Sequence, residues 1–198
     1  MRGLRNLTIG MALAVAATQA TSQNLPTKEE LARDNNLFLT LARKALKWDV
    51  PAEPLKIAGP LYFIGTEGLG AWLFATSEGL ILLNTGMPES GPRIVDSIRK
   101  LGLKPEDIKI ILNGHAHSDH AGAIDYLKKL SGAQLAVMEP DVAPMQDGGK
   151  SDFHYGTDWK IMGFPPARVD RVLRDGGACY FAAGHTLLWW IDWLRHFV

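Results

Sequence analysis

The sequence predicts an α/β domain built on a mixed sheet, and three observations carry that reading. Short apolar runs separated by Gly-containing turns fill residues 55–83, which is the pattern of antiparallel hairpins. From Pro92 onward, apolar strand-like runs alternate with amphipathic stretches, as parallel strand–helix–strand units require. The composition, 46% hydrophobic and 21% charged over 198 residues, is globular, and the chain is long enough to bury a core without disulfides.

Each element has its own local reason. Residues 1–20 have the layout of an export signal: basic Arg2 and Arg5, an apolar run from Ile9 to Ala17, then small residues ending at Ala20. That run is too short to anchor in a bilayer, so a membrane-free, periplasmic or secreted mature chain is expected. Thr27 and Glu30 read as a capping box. Leu31, Leu37, Phe38, Leu41, Ala45 and Leu46 keep helical spacing up to Trp48, before Pro51 and Pro54 end it. Runs at 55–58, 61–65, 71–76 and 79–83 read as hairpin strands. Gly68-Leu69-Gly70 is a hairpin turn rather than a nucleotide loop, since no helix opens after it.

Residues 92–103 return to helical spacing through Ile94, Val95, Ile98 and Leu101, and 107–112 form a buried strand. Ile124, Leu127 and Leu130 mark the next helix, with Lys128-Lys129 on its solvated face; 134–138 is the next strand. Residues 142–166 weaken into a Gly-, Asp- and Pro-rich loop that ends at a strand over 167–173. No repeat or low-complexity linker interrupts this order.

Charge and cysteine narrow the function. Basic and acidic residues number 21 each, which gives a nucleic-acid partner no electrostatic support. Cys179 is the only cysteine, excluding an intrachain disulfide and a cysteine-cluster metal site.

One segment carries chemistry: His115-Ala116-His117-Ser118-Asp119-His120, between a buried strand and a helix. In an extended segment, His115 and His117 would project the same way. Asp119 and His120 fall at a helix entry, where N–H groups favour anions. Ala116, Ser118 and Gly122 leave room for close approach. Neutral imidazoles with a carboxylate suit zinc or a similar first-row ion. A chance match of this type is expected roughly a few times in ten thousand chains of this composition.

These residues resemble the signature of the metallo-β-lactamase superfamily. The likeness extends to Gly65-Thr66-Glu67-Gly68-Leu69, to residues 79–86, to Ile110-Ile111-Leu112 and to Ala121-Gly122. Asp152-Phe153-His154-Tyr155-Gly156 and residues 165–171 are similar to the third subclass of the class B β-lactamases. The resemblance runs from about Val50 to Gly176 and implies an αββα sandwich with mixed sheets. It implies hydrolysis of a small-molecule β-lactam amide, and so antibiotic resistance, by a metal-bound hydroxide on one or two zinc ions. By motif position, His115 and His117 would hold the first zinc, and Asp119 and His120 the second, with Asp119 also orienting the attacking water. Asn84 stands where the resemblance implies Asp, so support of the metal ligands loses a charge. His154 reads as a surface or loop-fixing residue.

The resemblance stops near Asp175. Gly184-His185-Thr186 resembles the family's next ligand segment and makes His185 a candidate metal ligand, but it arrives early and lacks the following Pro-Gly. Residues 187–198 resemble nothing in the family. The organisation expected is therefore a signal over 1–20, the amino-terminal part of a metallo-β-lactamase-like domain over 21–176, and a divergent tail over 177–198. A shifted or rearranged reading frame after Asp175 would make His185 a coincidence and leave most of the carboxyl-terminal half missing. Three functions compete: a zinc β-lactamase, a related thioester or lactone hydrolase, and an inactive truncated product.

Overall fold

Where the spacing predicts one helix up to Trp48, the chain forms two. A computed structural model describes residues 27–34, 36–176, 178–181 and 185–188; the export-signal segment 1–20 and residues 189–198 lie outside them. Helix α1 spans Lys28–Asp34 and α2 spans Leu37–Ala45. The capping box is present: the Thr27 N–H donates to Glu30 Oε2 at 2.7 Å and the Glu30 N–H to Thr27 Oγ1 at 3.1 Å. The break lies at Asn36, whose extended backbone (φ −155°) and side-chain oxygen, accepting from the Leu39 N–H, cap a second helix. Asn hydrogen-bonds local backbone readily, and here that outweighs continuing the helix.

Residues from Val50 onward form a separate unit, built on the mixed sheet that the pattern predicts. Strands β1 (Leu55–Ala58), β2 (Leu61–Phe63), β3 (Trp72–Thr76) and β4 (Gly79–Leu83) are antiparallel neighbours. Strands β5 (Ile108–Leu112), β6 (Gln134–Met138) and β7 (Arg171–Leu173) continue the sheet in parallel, so that spatial order follows chain order. The parallel pairs need crossovers. Helix α3 (Gly91–Lys100) makes the first; α4 (Ser118–Ala121) and α5 (Ile124–Ser131) make the second.

The crossover helices bury one sheet face. Ile94 and Ile98 of α3 and Ile124 and Leu127 of α5 join Leu73, Leu82, Ile111 and Leu135 in one apolar core. The opposite face holds a second cluster, Ile81, Ile110, Leu112 and Ala136. Burial on both faces explains why β5 is apolar at every position but Lys109 rather than alternating.

Two sequence readings change in the last third. Residues 142–166 are not all loop: they hold α6 (Val142–Asp147) and α7 (Trp159–Met162). The final strand of the sheet is only Arg171–Leu173, because Asp170 is already spent on contacts before it. Asp170 accepts the Leu135 N–H at 2.9 Å and the ammonium of Lys128. Lys128, expected on a solvated face, is therefore only 19% exposed and ties α5 to this segment, whereas Lys129 is 76% exposed. Strands β8 (Ala178–Phe181) and β9 (His185–Leu188) pair antiparallel as a separate hairpin. The described residues thus hold the mixed seven-stranded sheet that the resemblance implies and this hairpin as a second sheet. No helix among the described residues is long and apolar enough to cross a membrane.

Candidate metal centre

The 115–120 segment leaves the carboxyl end of β5, where ligand sites of open α/β sheets collect. It is a bend, not an extended strand: the His117 N–H donates to the His115 carbonyl at 3.0 Å. Asn113 Nδ2 also donates to that carbonyl. The bend still leaves the His115 and His117 rings in edge-on contact, centroids 4.5 Å apart.

Neighbouring loops fix this turn through backbone contacts. After β4, Asn84 adopts φ 61° and its Oδ1 accepts the Gly114 N–H at 2.8 Å. A left-handed backbone is a conformation that Asn tolerates. Thr85 donates its N–H and its hydroxyl to the His120 carbonyl at 2.8 and 3.0 Å, and the hydroxyl oxygen accepts the Ala123 N–H at 3.1 Å. The Gly122 N–H donates to the Gly86 carbonyl at 2.9 Å. Gly122 is required there: a Cβ would meet Pro88 N at 2.3 Å and Met87 C at 2.4 Å.

His115, Asp119 and His120 come together, each offering one ligand atom, all within 4.8 Å of one another. The His115 and His120 ring centroids are 4.1 Å apart, and His120 Nε2 lies 3.2 Å from Asp119 Oδ2. Burial, with His120 and His117 as neighbours, lowers the pKa of His115 to about 4. It is neutral at physiological pH, as a metal ligand must be. Burial alone would raise the pKa of Asp119, but the His120 hydrogen bond and the charges of His120 and His115 hold it below the ordinary value.

The donor set fits a divalent metal. His120 Nδ1, Ser118 Oγ and Asn113 Oδ1 are buried without a protein partner among the described residues. Buried polar atoms of this kind require an explanation, and for His120, one of the triad, a bound ion is one. Two imidazoles and a carboxylate are borderline to hard donors, suited to zinc.

His117 stands apart from this triad. Its ring lies edge-on to His115, centroids 4.5 Å apart, and its Nε2 is 3.1 Å from Asp152 Oδ2. His185 falls on β9; its side chain lies outside the described residues. His154 is exposed and its N–H donates to Asp152 Oδ1, as expected of a loop-fixing residue.

Two carboxylates escaped the sequence reading as site residues. Asp141 accepts the Ala116 N–H at 3.2 Å, and burial raises its pKa against that bond. Asp152 reaches the site only because residues 142–156 fold back over it. No spacing within the hexapeptide signals either one.

Residues 70–189 match the metallo-beta-lactamase superfamily. Among solved structures, the native FEZ-1 metallo-beta-lactamase from Legionella gormanii is 42% identical, with a TM-score of 0.65, covering 67% of this chain and 50% of that one. A beta-lactamase from Chitinophaga pinensis is 40% identical, TM-score 0.67, over 71% and 52%. The class B3 di-zinc metallo-beta-lactamase LRA-12 from an Alaskan soil metagenome is 41% identical, TM-score 0.65, over 68% and 50%. Among curated proteins, an N-acyl homoserine lactonase of Bacillus cereus is 36% identical over 26% of this chain and 30% of its own length. The lactonase AiiB of Agrobacterium fabrum is 31% identical over 47% and 34%. The chain thus spans about half the length of these solved structures and about a third of these curated relatives.

Proposed function

The chain belongs to the metallo-β-lactamase superfamily, and from that premise we propose that it is a zinc-dependent hydrolase of the β-lactam amide. The observation that supports this reading is the half-buried His115–Asp119–His120 cluster at the end of β5. Its scaffold is about 40% identical to class B3 β-lactamases over two thirds of the chain. His115, Asp119 and His120 would hold one or two zinc ions together with His117. When bound, zinc would lower the pKa of water and polarise the substrate carbonyl.

The chain's own residues have the remaining tasks. His115, neutral above about pH 4, offers a lone pair without first losing a proton. Asp119 stays ionised; its carboxylate oxygens would orient the attacking water and accept its proton. Ser118, at the start of α4, is buried, and no protein nucleophile is invoked. Export through the 1–20 segment would place this activity in the periplasm or outside the cell.

A second reading, lactone hydrolysis, draws on the lactonase relatives. One experiment separates them: the full chain is loaded with zinc and offered a carbapenem, an acyl homoserine lactone and a simple thioester, each with and without chelator. Chelator-sensitive carbapenem cleavage is the expected result. Cleavage of lactone or thioester alone would move the chain to the second reading. Zinc uptake without hydrolysis of any of the three would make it an inactive product.

A further inference from the structure

We propose that Asp152 is a positioning residue that dictates which ring nitrogen His117 presents to the metal site. The inference rests on the reading of residues 115–120 as a zinc centre. Asp152 lies between α6 and α7, outside the histidine turn, yet its side chain is 8% exposed against 28% for His117. Its two oxygens have separate tasks. Oδ1 accepts the backbone N–H groups of His154 and Tyr155, at 2.9 and 2.6 Å, closing a local turn. Oδ2 lies 3.1 Å from His117 Nε2.

A carboxylate can only accept, so the hydrogen between Oδ2 and the ring belongs to Nε2. In neutral imidazole the lone pair is then on Nδ1, leaving Nδ1 as the sole ligand atom of His117. The ring cannot easily turn over to exchange them. Tyr155 packs against it edge-on at 5.1 Å between centroids, and His115 does the same at 4.5 Å.

The isosteric change Asp152→Asn separates positioning from mere loop support. The two backbone N–H groups require an acceptor at the Oδ1 place, so the amide oxygen must occupy it. The amide NH₂ then faces His117 Nε2 and donates to it, which drives the ring hydrogen to Nδ1. The turn survives while the ligand atom is blocked.

The test uses the full chain in zinc-free and zinc-loaded forms. Long-range ¹⁵N–¹H spectra of the zinc-free wild type should show His117 with its hydrogen on Nε2, and D152N should show it on Nδ1. Zinc affinity, by competition with a chromophoric chelator, should fall by about 10–100-fold in D152N, as for other residues that orient a ligand histidine. An unchanged tautomer with unchanged zinc affinity in D152N would overturn the proposal. If D152N does not fold, Asp152→Ser carries the comparison: its hydroxyl can close the turn but not reach His117, so mixed tautomers and weaker zinc binding are expected. A wild type that takes up no zinc would sink the zinc-centre reading, while the tautomer spectra would still decide whether Asp152 sets the ring.

Discussion

Two arms of the chain meet around His117, and they are held in different ways. The first, residues 113–122, is fastened by hydrogen bonds from the Asn84 and Thr85 side chains and the Thr85 and Gly86 backbone and has no room for a larger residue at 122. The second, residues 139–170, touches the first through the Asp141 and Asp152 carboxylates and returns to the sheet through Asp170. The first arm is held by several hydrogen bonds close together, part-buried or buried. The second buries Met145, Phe164 and Ala167 in the core and meets the first through a few charged side chains whose partners lie 25 to 42 residues away. Disturbing the first should therefore abolish the site, and disturbing the second should displace it.

The sharpest break is removal of a triad donor. His115→Ala and Asp119→Ala are expected to lose zinc and hydrolysis together, by more than the roughly 10–100-fold of a residue that only orients a ligand. Zinc content per chain and chelator-sensitive turnover are the measurements; retention of both in either variant would remove the triad from the chemistry. Next comes Gly122→Ala. Its methyl would collide with the backbone of Met87 and Pro88, which cannot rotate away. Overpacking at a tight site costs about 1–3 kcal/mol, sometimes more, so a markedly lower urea midpoint is expected; an unchanged midpoint would show the first arm to be pliable.

What the sequence made legible follows the same division. The strands, crossover helices and histidine turn were readable because their signals are local: apolar periodicity, Gly and Pro punctuation, and a motif six residues long. The bend at His117 was not, because it depends on Asn113 and Asn84 meeting a carbonyl and an N–H across the sheet end. Asp152 and Asp141 were invisible as site residues for a stronger reason: aspartates in a polar loop look alike until the fold brings one to an imidazole. Lys128 was misread in the same way. Nothing adjacent marks it as different from Lys129; only Asp170, far along the chain, does.

Thr85→Ala probes the first arm more gently. It removes the hydroxyl that bonds both the His120 carbonyl and the Ala123 N–H, leaving a buried N–H unpaired at about 1–3 kcal/mol. Thr85→Ser should recover most of that loss. Equal destabilisation of the two variants would assign the effect to packing of the methyl instead.

The second arm yields a pH signature. Burial would raise the pKa of Asp170, but Lys128, the Leu135 N–H and Arg168 together hold it below the ordinary value. A depressed carboxyl stabilises above its unfolded pKa of about 4, and the contribution fades as pH falls through the lower folded value. Asp170→Asn should therefore cost about 1.5–3 kcal/mol at pH 7, the range for bonds to a charged group. The gap from wild type should narrow below about pH 4. Urea unfolding at pH 7 and pH 3.5 measures it, and a gap that stays constant would mean that the carboxylate charge is not what holds this arm.

The smallest effect comes from the lysine beside it and is the control for the whole comparison. Lys129 pairs with Asp125 one helical turn away at 2.6 Å, with the ammonium end largely in water. Such i,i+4 pairs contribute about 0.3–0.5 kcal/mol because solvent screens them and ordering two long side chains opposes the attraction. Lys129→Ala should shift the midpoint by no more than that and respond to added salt, whereas Lys128→Met should cost several times as much with little salt dependence, because its ammonium is shielded between α5 and the 168–170 segment. Equal effects from the two lysines would mean that the return of the second arm to the sheet is not anchored by charge, and that the burial of Phe164 and Ala167 holds it there.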